Sequence, residues 1–211
     1  EFTYFSALSG NGYWTAQYSG AGASAGPSGG VNGNEWGIAT FYIGTTTGGY
    51  ARIYSRLFSP YPTNAVISDE FKVRVNDLSY TTSEWYYLVV GWSDTTTDEP
   101  ATGVYIIYDP SLGTNWFAGT AKSSTRTITD SGFPVVADQW ETFRIVANTN
   151  MSEVSFYRNG VLFATHTNNK PLITDTAYMV FQMIRKTTNT AGTNNISTSI
   201  DYWSREIKIN P

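Results

Sequence analysis

Hydrophobic and polar residues alternate along most of the chain with the two-residue period of β-strands. The segment Glu70–Val75 is clearest, because Phe71, Val73 and Val75 share one face and charged residues occupy the other. No segment keeps a 3.6-residue period, so we expect little helix. The predicted strands are Tyr50–Leu57, Glu70–Val75, Trp85–Trp92, Gly103–Tyr108, Trp116–Lys122, Thr125–Thr129, Glu141–Asn148, Glu153–Arg158, Val161–His166, Tyr178–Arg185 and Ile200–Ile209.

Turn clusters separate these strands at intervals of roughly 8–15 residues, close to the spacing of a β-sandwich or barrel. Asn159-Gly160 predicts a hairpin, because both residues tolerate positive φ. The run Gly20–Gly30 predicts a flexible loop rather than a domain linker, because aromatic residues flank it. We therefore expect one all-β domain over residues 1–211.

Several predicted strands are apolar on both faces. They are Trp85–Trp92, Val104–Tyr108 and Tyr178–Ile184. An antiparallel sheet commonly has one solvated face. A folded-back loop, another subunit or a ligand in a groove must therefore cover the second face.

Composition narrows the function classes. The net charge is −4 with only 13 Lys and Arg, which argues against nucleic-acid binding. The sequence contains no run of 18 apolar residues, so it predicts no membrane span. We recognise no signal peptide, and a start at Glu1 rather than Met fits a fragment, a processed product or a chain with cloning residues.

Metal and disulfide chemistry has little support in the sequence. There is no cysteine, and the lone His166 excludes a multi-histidine site; we expect it to be a polar or hydrogen-bonded strand residue. The acidic run from Asp94 to Glu99 lacks the EF-hand pattern, so we expect no cofactor, with calcium as the alternative.

One predicted strand carries a distinctive polar stripe. Alternation places Tyr50, Arg52, Tyr54 and Arg56 on one face. Aromatic rings stack on sugars and Arg pairs with carboxylates or sulfates, so the stripe is a candidate glycan groove. The alternatives are an exposed outer face or a subunit contact.

Four further residues are candidate ligand contacts. Trp92 and Trp116 could be sugar platforms, with burial in the core as the alternative. Arg185 and Lys186 end an apolar strand and are either ligand contacts or a solvated strand end.

No catalytic residue is predicted. The Glu-x-Asp-x-x-Glu pattern of retaining glucanases is missing from the sequence, and we interpret Asp69, Glu70, Asp138 and Glu141 as turn or solubility residues. Tyr and Arg side chains that a polysaccharide lyase would need are available.

An ordered set of motifs resembles the concanavalin A-like lectin/glucanase domains of bacteriophage and large-virus structural proteins. It includes Gly12-Tyr-Trp14, Trp36-Gly-Ile38, Gly91-Trp-Ser-Asp94, Asn115-Trp116, Trp140-Glu-Thr-Phe-Arg-Ile145 and Val154–Gly160, and it extends to Asp201-Tyr202. The resemblance implies an antiparallel jelly-roll β-sandwich on a virion surface or outside the cell. It transfers no active site.

The resemblance implies a non-catalytic virion-surface or tail-fibre module that binds a cell-surface or secreted host glycan. One alternative is a structural virion protein, a capsid decoration or fibre spacer, with homo-oligomer contacts and other virion proteins as partners. A polysaccharide lyase or hydrolase is the second alternative.

Overall fold

A computed structural model describes residues 14–27, 38–55, 63–79, 85–96, 99–186 and 196–209. Their fourteen strands are β1 Trp14–Ser19, β2 Ala23–Pro27, β3 Ala39–Ile43, β4 Tyr50–Ser55, β5 Ala65–Val75, β6 Tyr86–Ser93, β7 Gly103–Tyr108, β8 Asn115–Lys122, β9 Thr125–Pro134, β10 Trp140–Ala147, β11 Val154–Arg158, β12 Val161–His166, β13 Tyr178–Lys186 and β14 Ser197–Ile209. A single 3-10 turn, Thr149–Met151, is the only helical element in these ranges. Within them, no helix is long and apolar enough to cross a membrane.

The strands form two antiparallel sheets of seven. Sheet A has the order β1-β4-β13-β6-β7-β8-β9, and sheet B has the order β12-β11-β10-β5-β14-β3-β2. The predicted all-β architecture with little helix is confirmed. Sequentially distant strands lie side by side in both sheets, as β4 and β13 do in sheet A.

The main hydrophobic core draws on alternate residues of both sheets. Phe71, Phe143 and Phe156 come from sheet B, while Trp92 and Trp116 come from sheet A, and all five are fully buried. Each such side chain contributes about 1.5–3 kcal/mol by leaving water. The core residues of these strands therefore follow the two-residue period of the sequence.

The alternation predicted for Glu70–Val75 is confirmed, but β5 is longer and extends back to Ala65. Asn159 and Gly160 have φ of 48° and 80°, which confirms the turn residues of the hairpin between β11 and β12. The Gly20–Gly30 prediction is wrong in part. Ala23–Pro27 forms β2, because its backbone pairs with β3 even though its side chains are small.

A buried ion pair lies inside the sandwich. Asp69 is on the core face of β5, and its carboxylate accepts hydrogen bonds from Trp92 Nε1 at 2.6 Å and Trp203 Nε1 at 3.1 Å. Arg205 donates from Nε and Nη2 at 2.8 and 2.7 Å. The interpretation of Asp69 as a turn or solubility residue is wrong, because it is a buried carboxylate with four donors.

Glu141 is a second carboxylate that the sequence did not mark as buried. It is 1% exposed on β10, and it accepts hydrogen bonds from Arg158 and from Asn159 of the hairpin turn. The interpretation of Glu141 as a solubility residue is therefore also wrong. Its carboxylate anchors the β11–β12 hairpin to β10.

His166 links the edges of the two sheets, because β12 ends sheet B and β8 and β9 end sheet A. Its Nδ1 lies 3.0 Å from Thr120 Oγ1, and its Nε2 lies 2.9 Å from Thr129 Oγ1. Thr120 already donates its hydroxyl proton to the Asn168 carbonyl at 3.1 Å, so Nδ1–H donates to Thr120 and Nε2 accepts from Thr129. The expected hydrogen-bonded strand histidine is confirmed, and burial lowers its pKa.

Candidate functional site

The outer face of sheet A, turned away from the main core, carries a second buried cluster. Its members are Tyr87, Val89, Tyr105, Ile107, Phe117 and Ala121. Tyr54, Ile128 and Tyr178 pack against this cluster and are half-buried. Every residue of β6 and β7 is buried, so the prediction that these strands are apolar on both faces is confirmed.

Tyr105 is the deepest polar group of this face. Its side chain is fully buried, its hydroxyl has no hydrogen-bond partner in the described part of the chain, and burial raises its pKa. The ring lies over Gly119, its cross-strand neighbour in β8, so closely that a Cβ at Gly119 would overlap it. Glycine at 119 is therefore needed for Tyr105 to lie flat on the sheet.

The described part of the predicted polar stripe lies on this face, but the side chain of Arg52 is internal. Arg52 is 6% exposed, and its Nε donates to Gln17 Oε1 of β1 at 3.1 Å. Nη1 donates to the Thr96 carbonyl, and the guanidinium lies 4.3 Å from the Tyr50 ring centroid. Arg52 thus ties β1, β4 and the chain after β6 together and holds Tyr50 in place.

Half-buried tyrosines form the accessible part of the face. Tyr54 and Tyr178 meet edge to face with ring centroids 5.6 Å apart. The register of β13 shifts after Val180 against both β4 and β6, which marks a β-bulge beside this pair. Bulges of this kind re-aim side chains next to binding sites.

The remaining candidate residues are distributed unevenly. Arg185 pairs in backbone register with Tyr50 and Tyr87, and Lys186 pairs with Tyr86. Only the backbone of Arg185 and Lys186 is described, and Arg56 lies outside the described residues. The outer face therefore brings together Tyr50, Arg52 and Tyr54, with the backbone of Arg185 alongside.

The structure corrects the prediction for the two tryptophans. Trp92 and Trp116 lie on the core face of their strands and are 0% and 1% exposed. Trp116 packs against Phe143 of the opposite sheet with ring centroids 4.8 Å apart. Neither ring can serve as a sugar platform, because strand alternation turns both away from the outer face.

The central strands of the outer face lack carboxylates. The sequences of β6, β7 and β8 contain no Asp or Glu. In the candidate calcium segment, Asp94 Oδ1 accepts from the Ala101 amide at 3.0 Å and Glu99 pairs with Arg126. Asp98 lies outside the described residues, and no group of three acidic or histidine ligands occurs in the part of the chain that is described.

Sequence reasoning missed the outer face of sheet B. Arg74 lies 4.6 Å from the Trp140 ring centroid, and Arg144 lies 4.4 Å from that of Tyr157. The alternation of β5 and β10 was available as a signal, because both strands place basic residues on their polar face. A pocket of about 220 Å³ opens there.

Comparisons with solved structures show the fold. The "Protein of Unknown Function SO2946 from Shewanella oneidensis MR-1" matches with a TM-score of 0.65 at 17% identity, covering 94% of this chain and 80% of that one. The endo-1,3-beta-glucanase from Streptomyces sioyaensis matches with a TM-score of 0.63 at 12% identity, covering 94% of this chain and 90% of the glucanase chain. The metal-free Emp46p carbohydrate recognition domain matches with a TM-score of 0.58 at 10% identity, covering 92% of this chain and 87% of the Emp46p chain. The predicted concanavalin A-like jelly-roll sandwich is confirmed.

No curated protein matches the chain in sequence. Residues 34–201, however, match the family described as "SO2946-like, C-terminal domain". That range includes β3 to β13 and the first residues of β14, and so contains most of both sheets. The chain therefore belongs to the SO2946-like, C-terminal domain family.

Proposed function

We propose that this domain binds a glycan on the outer face of sheet A without covalent chemistry. The observation that carries the proposal is the tyrosine-rich outer face itself. Tyr50, Tyr54 and Tyr178 are half-buried there, so each presents part of a ring to a ligand. Aromatic rings with a polar edge suit sugars, which offer apolar C–H faces and hydroxyl groups together.

Arg52 supports the proposal as a positioning residue rather than as a ligand contact. Its hydrogen bonds to Gln17 and Thr96 are internal, and its guanidinium covers one side of the Tyr50 ring. Holding aromatic side chains in fixed positions lowers the entropy lost on binding. The predicted pairing of Arg52 with a sugar carboxylate is therefore not part of the proposal.

The lack of carboxylates on the central strands favours binding over hydrolysis. A retaining glucanase needs two carboxyl groups about 5 Å apart, and β6, β7 and β8 supply none. The likeness to a glucanase keeps hydrolysis as the alternative activity. Reducing-end release from a β-1,3-glucan measures that alternative directly.

A glycan array tests the proposal. We expect wild-type protein to bind at least one oligosaccharide class and Tyr54→Ala and Tyr178→Ala to weaken that binding about tenfold, which corresponds to about 1.4 kcal/mol. Tyr18→Ala is the matched control, because Tyr18 is an exposed tyrosine of β1 outside this cluster. Undiminished binding by both variants contradicts the proposal.

We further propose the virion setting that the motif resemblance implies, as a surface or tail-fibre module next to other virion proteins. Its support is the ordered motif set, while the names of the three solved structures above do not refer to a virion. Structural virion genes on both sides of the coding sequence are the expected result. Neighbouring genes of metabolism or secretion contradict it.

The structural alternative, a capsid decoration or fibre spacer, makes a different prediction. It expects a stable homo-oligomer whose contact is the outer face of sheet A, and no glycan binding. Light scattering of wild-type protein and Tyr54→Ala separates the two, because only an oligomer contact makes the mass depend on Tyr54.

A further inference from the structure

The outer face of sheet B is a polar surface that the proposed site does not use. A pocket opens on it across β11, β10, β5 and β14, and its lining residues are Val66, Ser68, Arg144, Val146, Tyr157, Glu206 and Lys208. Its volume of about 220 Å³ lies below the roughly 300–1,000 Å³ of pockets for drug-sized ligands. The space suits one sugar ring rather than a larger ligand.

Arg144 is the key residue of this pocket. Its guanidinium stacks on Tyr157 of the neighbouring strand, 4.4 Å from the ring centroid. Glu70 is opposite Arg144 in register, but its carboxylate accepts from the Tyr202 hydroxyl at 2.7 Å. Arg144 forms no ion pair within the described ranges, so its donors are available in a fixed orientation.

Arg74 is a second arginine on this face, and it differs from Arg144 in its hydrogen bonding. It lies on the same face and stacks on Trp140 at 4.6 Å in a similar way. Its Nε, however, donates to Asn76 Oδ1 at 2.8 Å. Arg74 is thus internally bonded, and its side chain is not part of the pocket lining.

The charged residues in and around the pocket are Arg144, Lys208, Glu206 and Glu70. Two cations, Arg144 and Lys208, line it together with one anion, Glu206. The Lys208–Glu206 pair is 3.4 Å long with both side chains more than 60% exposed, so solvent screens it strongly. These three lining residues sum to +1, and Glu70, which lies opposite Arg144 outside the lining, brings the local sum to zero. The anion site therefore rests on the guanidinium of Arg144, which has no ion pair within the described ranges, and not on net charge.

We propose that this pocket binds one uronate unit of an acidic polysaccharide, with the sugar carboxylate paired to the guanidinium of Arg144. A planar guanidinium matches a carboxylate with two parallel hydrogen bonds. Val66 and Val146 supply apolar contact for the ring, and Ser68 supplies a hydroxyl partner. The site is independent of the tyrosine face of sheet A and stands if that face binds nothing.

Isothermal titration with trimers of galacturonate, guluronate and mannuronate tests this inference. We expect at least one acidic trimer to bind wild-type protein, and its methyl-esterified form, which keeps the skeleton and loses the charge, to bind at least tenfold more weakly. Arg144→Gln removes the binding, Arg144→Lys weakens it through loss of the second hydrogen bond, and Arg74→Gln, the matched control, binds as wild type. Thermal melts confirm that the variants are folded.

Four results overturn the inference. The first is no binding of any acidic trimer, and the second is equal affinity of wild type and Arg144→Gln. The third is equal binding of the acidic and esterified trimers, which removes the role of the carboxylate. The fourth is displacement of the trimer by inorganic sulfate at the same molar concentration, which reduces the pocket to a simple anion site.

Discussion

Asp69→Asn probes the buried ion pair with the smallest possible change in shape. Asp69 Oδ1 accepts from Trp203 and Arg205, while Oδ2 accepts from Trp92 and Arg205. An amide turned either way points its NH₂ group at two donors and also removes the charge that faces Arg205. Removing one partner of a buried pair costs about 3–5 kcal/mol, so we expect the urea midpoint to fall by about 1–2 M.

Urea unfolding followed by tryptophan fluorescence measures this loss, and Asp201→Asn is the control. Asp201 pairs with Lys72 at 2.7 Å, but its side chain is 31% exposed, so its variant should lose less than about 1 kcal/mol. A double variant with Arg205→Met should lose much less than the sum of the two single losses. A loss below about 1 kcal/mol for Asp69→Asn refutes the assignment of the pair as an energetic centre of the core.

Two further stability predictions follow from buried polar groups. Tyr105→Phe removes a buried hydroxyl without a partner, so we expect the free energy of unfolding to stay constant or rise by about 1–2 kcal/mol; a fall of more than 1 kcal/mol in urea unfolding contradicts this. Burial lowers the pKa of His166 below 6.5, so the unfolded chain binds its proton first and stability falls as pH decreases from about 6.5 toward the lowered pKa. His166→Gln should unfold with a flatter pH dependence between pH 7.5 and 5.5, and an unchanged slope shows that His166 does not carry it.

The candidate site was predicted in its parts but not in its arrangement. Alternation correctly put Tyr50, Arg52 and Tyr54 on one face, because that depends only on the strand period. Gln17 and Thr96, which take the hydrogen bonds of Arg52, are distant in sequence and meet it only through the sheet order and a loop. The same alternation could not tell which face of β6 and β8 meets sheet B, so Trp92 and Trp116 were interpreted in two ways.

The all-β class, the main strands and the Asn159-Gly160 turn follow from the sequence, because they depend on local period and local φ preferences. Which carboxylates are buried depends on the three-dimensional fold, since Asp69 and Glu141 become internal through partners outside their own strands. The fold likewise explains why β2 forms in a glycine-rich run. Its backbone pairs with β3, and this pairing is not visible in the small side chains of β2. The burial of both carboxylates and the formation of β2 all depend on contacts between separate strands, which local propensity does not encode.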